Sequence, residues 1–454
     1  MKNITDEQKI YELSKIWKEA AYNFAFWDKV DIDWDEEYRK TLVRVLETKD
    51  IYDYYKELSR FVALLGDGHT SVSFPREMVQ DPKYFSMFPV YLHKFDDKIA
   101  VLLVTEELKK DVPLLSILKK VDGVDIDEYV REKCHPYIWH SNKAACGISE
   151  VNEMMFGKQG SSATLTFRKN DKEFDITLKR DDPSKMVWCQ TDFPQIQEDV
   201  KKLISSSDVH KVYLTTDNIA VIKMISFEDN SMCEKIYADY EEIKSAAGYM
   251  IDVRGNGGGN SSNADAIAAL FIKDEFRSCS GETQMYNPVY KAWSVFRDDF
   301  KKLSLDEAEK KFADNKDEIR NYRMSRNMYY VTDEAKVVID KAPGKLSGPI
   351  VVLMNEYTVS AAEDFIDVMK MYTDAVFVGG NTAGTSGQPL CGKLESGGFF
   401  RICTRRCIAQ NGEDIYNKGF APDVRVSHTV EDHAAGRDRA MERAKEIIKK
   451  KLCQ

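Results

Sequence analysis

The chain has 454 residues, 43% of them hydrophobic and 11% aromatic, enough for more than one packed core and too many for a disordered chain. Its net charge of −10 argues against nucleic acid as a partner, since that calls for a clustered basic surface. No run reaches the roughly 18 apolar residues that span a bilayer, so no membrane span is expected.

The start, MKNITDEQKIYELSKIW, is charged throughout and lacks the apolar stretch of a signal peptide. As written, the chain is expected in the cytoplasm; an exported or periplasmic protein whose signal sequence had been trimmed would present the same start. The nine cysteines are scattered without tight pairs, which reads as thiols in a reducing compartment. Cys403 and Cys407 have no second Cys/His pair nearby, so neither a metal nor a cofactor is expected.

Residues 1–80 form a helical segment by period. Ile10, Leu13, Ile16 and Trp17 recur at helical spacing, and YYKELSRFVALL repeats the pattern until Gly66 stops it. The dense aromatics here, Trp17, Phe24, Trp27 and Trp34 among them, read as packing between helices. Over 86–183 the pattern changes to short alternating runs. ATLTF and FDITLKR make a hairpin across a polar turn at Lys169 to Lys172, and ILKKVDGVDIDEYV gives a strand, an Asp-Gly turn and a helix start. That order resembles a PDZ-like module, a type that binds extended peptide ends by adding a strand to a sheet edge.

In 184–454, apolar strands alternate with helices. KVYLTTDNIAVIKMISF gives two strands, SMCEKIYADYEEIKSA one helix and GYMIDVRG a buried strand. NADAIAALFI then reads as a helix, GPIVVLMNE as a strand, SAAEDFIDVMKMY as a helix and AVFVGG as a strand. The alternation indicates a mixed α/β layer. Residues 284–345 are highly charged with a helical period, as expected of a solvated helical insertion. The terminal ERAKEIIKKK reads as a solvated helix face.

Three places carry chemistry. In NEYTVSAAEDF, Ser360 falls at the first turn of a helix that follows a buried strand. A serine there either caps the helix or attacks a carbonyl, with the Ala361 N–H binding the developing oxyanion. In IDVRGNGGG, three glycines follow a strand, and Gly257 or Gly258 offers a second, unobstructed N–H. Neither a dinucleotide fingerprint nor the ending of a P-loop is present there. In LLGDGHT, His69 sits at a glycine-flanked turn, where an imidazole can take a proton near neutral pH.

LLGDGHT, IDVRGNGGG, NEYTVSAAEDF, VGGNTAGTSGQP and GFAPDVRV occur in this order, and together they resemble the family of C-terminal processing, tail-specific and tricorn-core serine peptidases. The resemblance covers about residues 25–445 and implies a crotonase-like α/β core. It makes Ser360 the nucleophile, with Gly257 or Gly258 and Ala361 as oxyanion donors. The tail-specific branch uses a lysine where this chain has Thr385; the tricorn-like branch uses a histidine, which His69 matches. Gly68 and Tyr416 stand where the tricorn-like pattern has a serine and a glutamate, so Asp414, Glu413 and Asp67 are left as carboxylates to orient His69. The function so implied is hydrolysis of peptides or unfolded proteins through an acyl-enzyme, by a protein compatible with homo-oligomer formation. The alternatives are a non-catalytic binder of the same fold, holding an apolar ligand or a peptide, and a crotonase-fold acyl-CoA enzyme.

Overall fold

The computed structural model describes residues 4–139, 142, 144–191, 193–385 and 387–453. Ser386, inside the quoted VGGNTAGTSGQP run, and Met1 lie outside them. The chain forms two compact units, each discontinuous in sequence, unlike the consecutive segments 1–80, 86–183 and 184–454 read from the sequence. One unit is Met1–Pro75, Cys279–Lys336 and Ser386–Gly412; the other is Arg76–Ser278, Val337–Thr385 and Glu413–Gln454. No described helix is long and apolar enough to cross a membrane.

The first unit opens with helices Asp6–Asn23, Trp34–Glu47 and Ile51–Ala63, each started by a side-chain cap from Thr5, Asp33 or Asp50. Their aromatics do pack between helices: the Trp34 and Phe61 rings stack at 4.0 Å, and Phe24, Trp27 and Trp34 follow edge to face. Strand Ser71–Ser73 continues the last helix and pairs antiparallel with Phe399–Cys403, which pairs in turn with Pro389–Lys393. The charged insertion is helical as its period predicts, four short helices between Pro288 and Ser325 packed around Phe300, Ala308, Phe312 and Tyr322. It ends in a strand the sequence did not suggest, Tyr330–Asp333, which joins Ser280–Gln284 and Arg405–Ile408 in a small sheet.

In the second unit, residues 90–179 build a β-rich body of six strands. Its turns lie where the sequence places them: Asp122 and Gly123, and Asn170 and Asp171, all take positive φ. Such turns match the right-handed twist of the strands they join. Leu92, Val101, Leu118, Leu165 and Phe167 fill its core.

The rest of this unit is a seven-stranded sheet whose spatial order follows the chain: β1 Lys202–Ser206, β2 His210–Leu214, β3 Ile219–Met224, β4 Gly248–Asp252, β5 Ile350–Met354, β6 Val376–Gly379 and β7 Val424–Arg425. Pairing is antiparallel up to β3 and parallel from β3 onward. Every residue of β4 and β5 is buried, as expected for central parallel strands reading GYMID and IVVLM. The run expected as one helix after β3 is two, Ser231–Ala238 and Tyr240–Ile243. The break falls at Asp239, whose buried carboxylate accepts the Ser205 hydroxyl. The C-terminal helix Arg439–Leu452 is only half solvated. Ala440, Ala444 and Ile448, spaced by four, are buried against Tyr213, Val221, Met250, Val351 and Leu353. The packing is close enough that a Cβ on Gly248 would come within 2.6 Å of Ile448.

Candidate active site

Ser360 is set by the turn that carries the chain from β5 into the buried helix Ala361–Tyr372. Side chains tie this turn to the glycine loop after β4. Asn355 Oδ1 accepts the Gly255 and Tyr357 N–H groups at 3.0 and 3.1 Å, Thr358 Oγ1 donates to Val253 O at 2.9 Å, and Val359 N–H donates to Asn256 O at 2.9 Å. Ser360 takes φ 58° and ψ −125°, a conformation natural to glycine and costly to serine by about 1–3 kcal/mol. It occupies the N-cap position, yet its side chain makes no cap bond. Its carbonyl accepts the Glu363 and Asp364 N–H groups, at 2.7 and 3.1 Å, and its own N–H donates to Thr385 O at 3.2 Å. The backbone therefore starts the helix and leaves the hydroxyl, on a half-buried residue, out of that task.

The glycine loop reaches this serine directly. A Cβ on Gly258 would lie 2.7 Å from Ser360 Cβ, 2.8 Å from Val359 O and 3.0 Å from Ala361 N. Gly258 itself has φ +96°, and its N–H donates to Asn256 Oδ1 at 2.9 Å. That bond engages one of the two N–H groups offered by the sequence; among the described residues the Gly257 N–H has no acceptor. Ala361 is 1% exposed, and its N–H, the first of the helix, is likewise without an acceptor among them. Asn256, which the sequence reading passed over, is fully buried and holds the loop from three sides: Oδ1 to Gly258, Nδ2 to Met224 O at 3.1 Å, and its carbonyl to Val359. A polar residue between glycines was the available signal.

Beneath Ser360, one helical turn on, Glu363 is completely buried. It accepts the Thr382 hydroxyl at 2.5 Å, the Gly384 N–H at 2.8 Å and the Thr385 N–H at 2.9 Å. Burial pushes its carboxyl up to about 7, against the pull of these three donors. The Thr382 oxygen already accepts the Phe420 N–H at 2.7 Å, so its own proton goes to Glu363. The carboxylate thereby fixes the 382–385 loop, whose Thr385 carbonyl holds Ser360. Glu363→Gln is expected to turn an amide N–H toward a backbone donor, to cost about 1–3 kcal/mol of stability, and to lower the melting temperature in a thermal scan.

His69 belongs to the first unit. It is 7% exposed, in the turn between helix Ile51–Ala63 and strand Ser71–Ser73. Asp67 shapes that turn: its Oδ2 accepts the His69 N–H at 3.1 Å and the Thr70 hydroxyl at 2.7 Å. Thr70 Oγ1 then accepts the Cys403 N–H at 3.0 Å, fastening the histidine turn to the antiparallel strand. Of the other two carboxylates, Glu413 and Asp414 are both exposed in the second unit, and Asp414 Oδ1 accepts the Tyr416 N–H at 3.2 Å. The second unit brings Ser360, Ala361, Gly257 and Gly258 together.

Residues 218–426 match the model of peptidase family S41, a span running from β3 past β7 and holding Ser360 and the glycine loop. The tail-specific protease of Haemophilus influenzae is 23% identical over 442 residues, covering 91% of this chain and 51% of that protein. The carboxy-terminal processing protease CtpA of Bacillus subtilis is 22% identical over 281 residues, covering 62% and 46%. The chain thus spans about half the length of these curated relatives. Mature CPAF, solved in complex with lactacystin, shares the fold at a TM-score of 0.69 and 14% identity, over 99% of this chain and 98% of that one. The match to peptidase family S41 thus rests on residues 218–426, a little under half of the chain.

Proposed function

We propose that the protein is a serine endopeptidase in which Ser360 is the nucleophile and His69 the general base. The observation that carries this reading is Ser360 itself: a positive-φ residue at a helix start, released from capping, beside two backbone N–H groups without acceptors among the described residues. Strain of this kind clusters at active sites, ligand clamps and switch regions. The pairing with His69 rests on the motif order.

The reaction proceeds as acyl transfer. His69 takes the proton of the Ser360 hydroxyl as its oxygen attacks the scissile carbonyl, and the N–H groups of Ala361 and Gly257 hold the tetrahedral oxyanion. Collapse breaks the C–N bond, the proton passes from His69 to the leaving amine, and water releases the acyl group by the same route. No step needs a metal. The β-rich body 86–183 is read as a PDZ-like module. It presents Val90–Phe95 as an edge strand, which suits an extended peptide and so peptide or unfolded-protein substrates.

A fluorophosphonate probe tests the assignment. Wild type is expected to label at neutral pH, and Ser360→Ala and His69→Ala are not. Labelling of Ser360→Ala overturns the nucleophile, labelling of His69→Ala overturns the base, and a folded wild type that stays unlabelled favours a binding protein of the same fold.

A further inference from the structure

Away from the serine, the second unit gathers three of the chain's seven histidines around one phenylalanine. Phe95 is buried at the end of Val90–Phe95, the edge strand of the β-rich body. The His93 ring meets it edge to face at 4.6 Å, and the His433 and His428 rings lie tilted at 5.0 and 5.9 Å. His428 and His433 are 5.7 Å apart, and Phe193 closes on His433 at 4.9 Å. His433 belongs to the helix Val430–Ala434, which Thr429 caps, and His428 to the segment leading into it. Val430 of that helix is buried with Phe95 and Ala100, against Leu102, Leu115 and Ile117 of the body. The three histidines therefore lie in the contact that joins the β-rich body to the helix after β7.

This contact suits uncharged imidazoles. All three residues are half-buried, and His433 Nε2 is enclosed with no partner among the described residues. Burial lowers the proton affinity of each ring. His428 lowers that of His93 further, and His428 and His93 lower that of His433. Among the described residues, His428 alone faces carboxylates, Asp438 and Asp432, with Arg254 opposing them. Both are engaged: Asp438 holds Arg254 at 3.0 and 2.9 Å, and Asp432 accepts the Thr429 hydroxyl at 3.0 Å, with Arg439 at 3.6 Å. Of the charged groups beside the rings in sequence, Lys94 pairs with Glu150, while Asp96 and Glu431 are exposed. The first proton is held best by His428, and its charge then bears on the other two rings.

We propose that the three histidines form a proton-sensitive latch, which holds the β-rich body to the helix Val430–Ala434 at neutral pH and releases it in acid. The closed contact binds protons less readily than the open one. Its stability is complete above about 6.5, the ordinary imidazole value, and is lost as the pH falls through the lower values of the folded chain. No residue around Ser360 takes part, so the latch stands or falls apart from the peptidase reading.

The test compares full-length wild type with the double variant His93→Phe/His433→Phe at about pH 7.5 and about pH 5, on either side of the imidazole range. Both are followed by melting and by hydrogen–deuterium exchange corrected for the chemical rate. Phenylalanine keeps a ring in place and takes no proton. At the higher pH the variant should melt at least as high as wild type, because His433 Nε2 gives up no protein bond. On acidification it should lose about 2–4 °C less than wild type. In wild type alone, acid should speed exchange in Val90–Phe95, Lys98–Val104 and Val430–Ala434 beyond the rest of the unit. An equal fall in melting temperature in both proteins overturns the role of the histidines. Acid-induced exchange spread evenly through the unit overturns the latch. Should the double variant not fold, His433→Phe alone carries the same comparison.

Discussion

Replacing Ser360 by alanine is expected to remove peptide hydrolysis by about 10⁴-fold or more, the scale seen when a serine nucleophile is deleted, while the melting temperature stays where it was. The second half of this expectation separates two roles for the residue. A serine that caps a helix loses about 1 kcal/mol on truncation to alanine, because an orphan N–H loses its partner. Ser360 makes no such bond, so its loss should cost the fold nothing. Ser360→Gly goes further, since glycine accepts φ 58° without strain. It should melt at least as high as wild type and be equally inactive. The check is a melting curve beside a hydrolysis assay on a denatured protein substrate; a clear fall in melting temperature with retained hydrolysis would return Ser360 to the role of a cap.

Gly258→Ala is expected to damage the fold and the serine together. It asks an L residue to adopt φ +96° and places the new carbon within 3.0 Å of Ser360 Cβ, Val359 O and Ala361 N. Two of those three atoms are backbone, which cannot swing aside as a long side chain can. A loss of about 3 kcal/mol or more is expected, with the serine displaced and probe labelling gone. Gly257→Ala is the control: its φ is not positive and a Cβ there meets nothing within 4 Å. That variant should melt like wild type. Equal damage from both substitutions would mean that the contact between Gly258 and Ser360 is not what makes this loop glycine-rich.

Much of the core was legible because its strands are buried on both faces. IVVLM and GYMID admit no solvated reading, and the helices between them keep their period, so the order of β4, β5, β6 and their helices follows from pattern alone. The serine and the glycine loop were legible by position, at the ends of those strands. Glu363 was not. A glutamate one turn into a helix reads as a solvated or dipole-matching residue, and only the return of the 382–385 loop shows that it is buried under three donors. The strands around residues 389–408 escaped for a related reason. They are short and mixed in polarity, and one of them finds its partner in Ser71–Ser73 at the far end of the chain. The C-terminal helix was half legible: its lysines show in ERAKEIIKKK, but the two alanines and one isoleucine of its buried stripe are too small a signal against them.

The first unit is threaded from three separated lengths of chain, and this sets an order of assembly. Ser71 meets Arg401 across a sequence separation of 330 residues, and Glu12 is bonded by Ser396 from even further away. During synthesis at roughly 5–20 residues per second, the amino-terminal helices wait for tens of seconds before the strand that completes their sheet has emerged. Through that interval Val72 and the aromatic face of helix Ile51–Ala63 lack the cover they have in the finished protein, while every partner that β3 and β4 need for pairing with each other is already made. The histidine turn, lying at the junction with that strand, is locked in place only after Cys403 has been made. The Ser360 turn waits likewise, since the 382–385 loop that holds it is itself tied to Phe420.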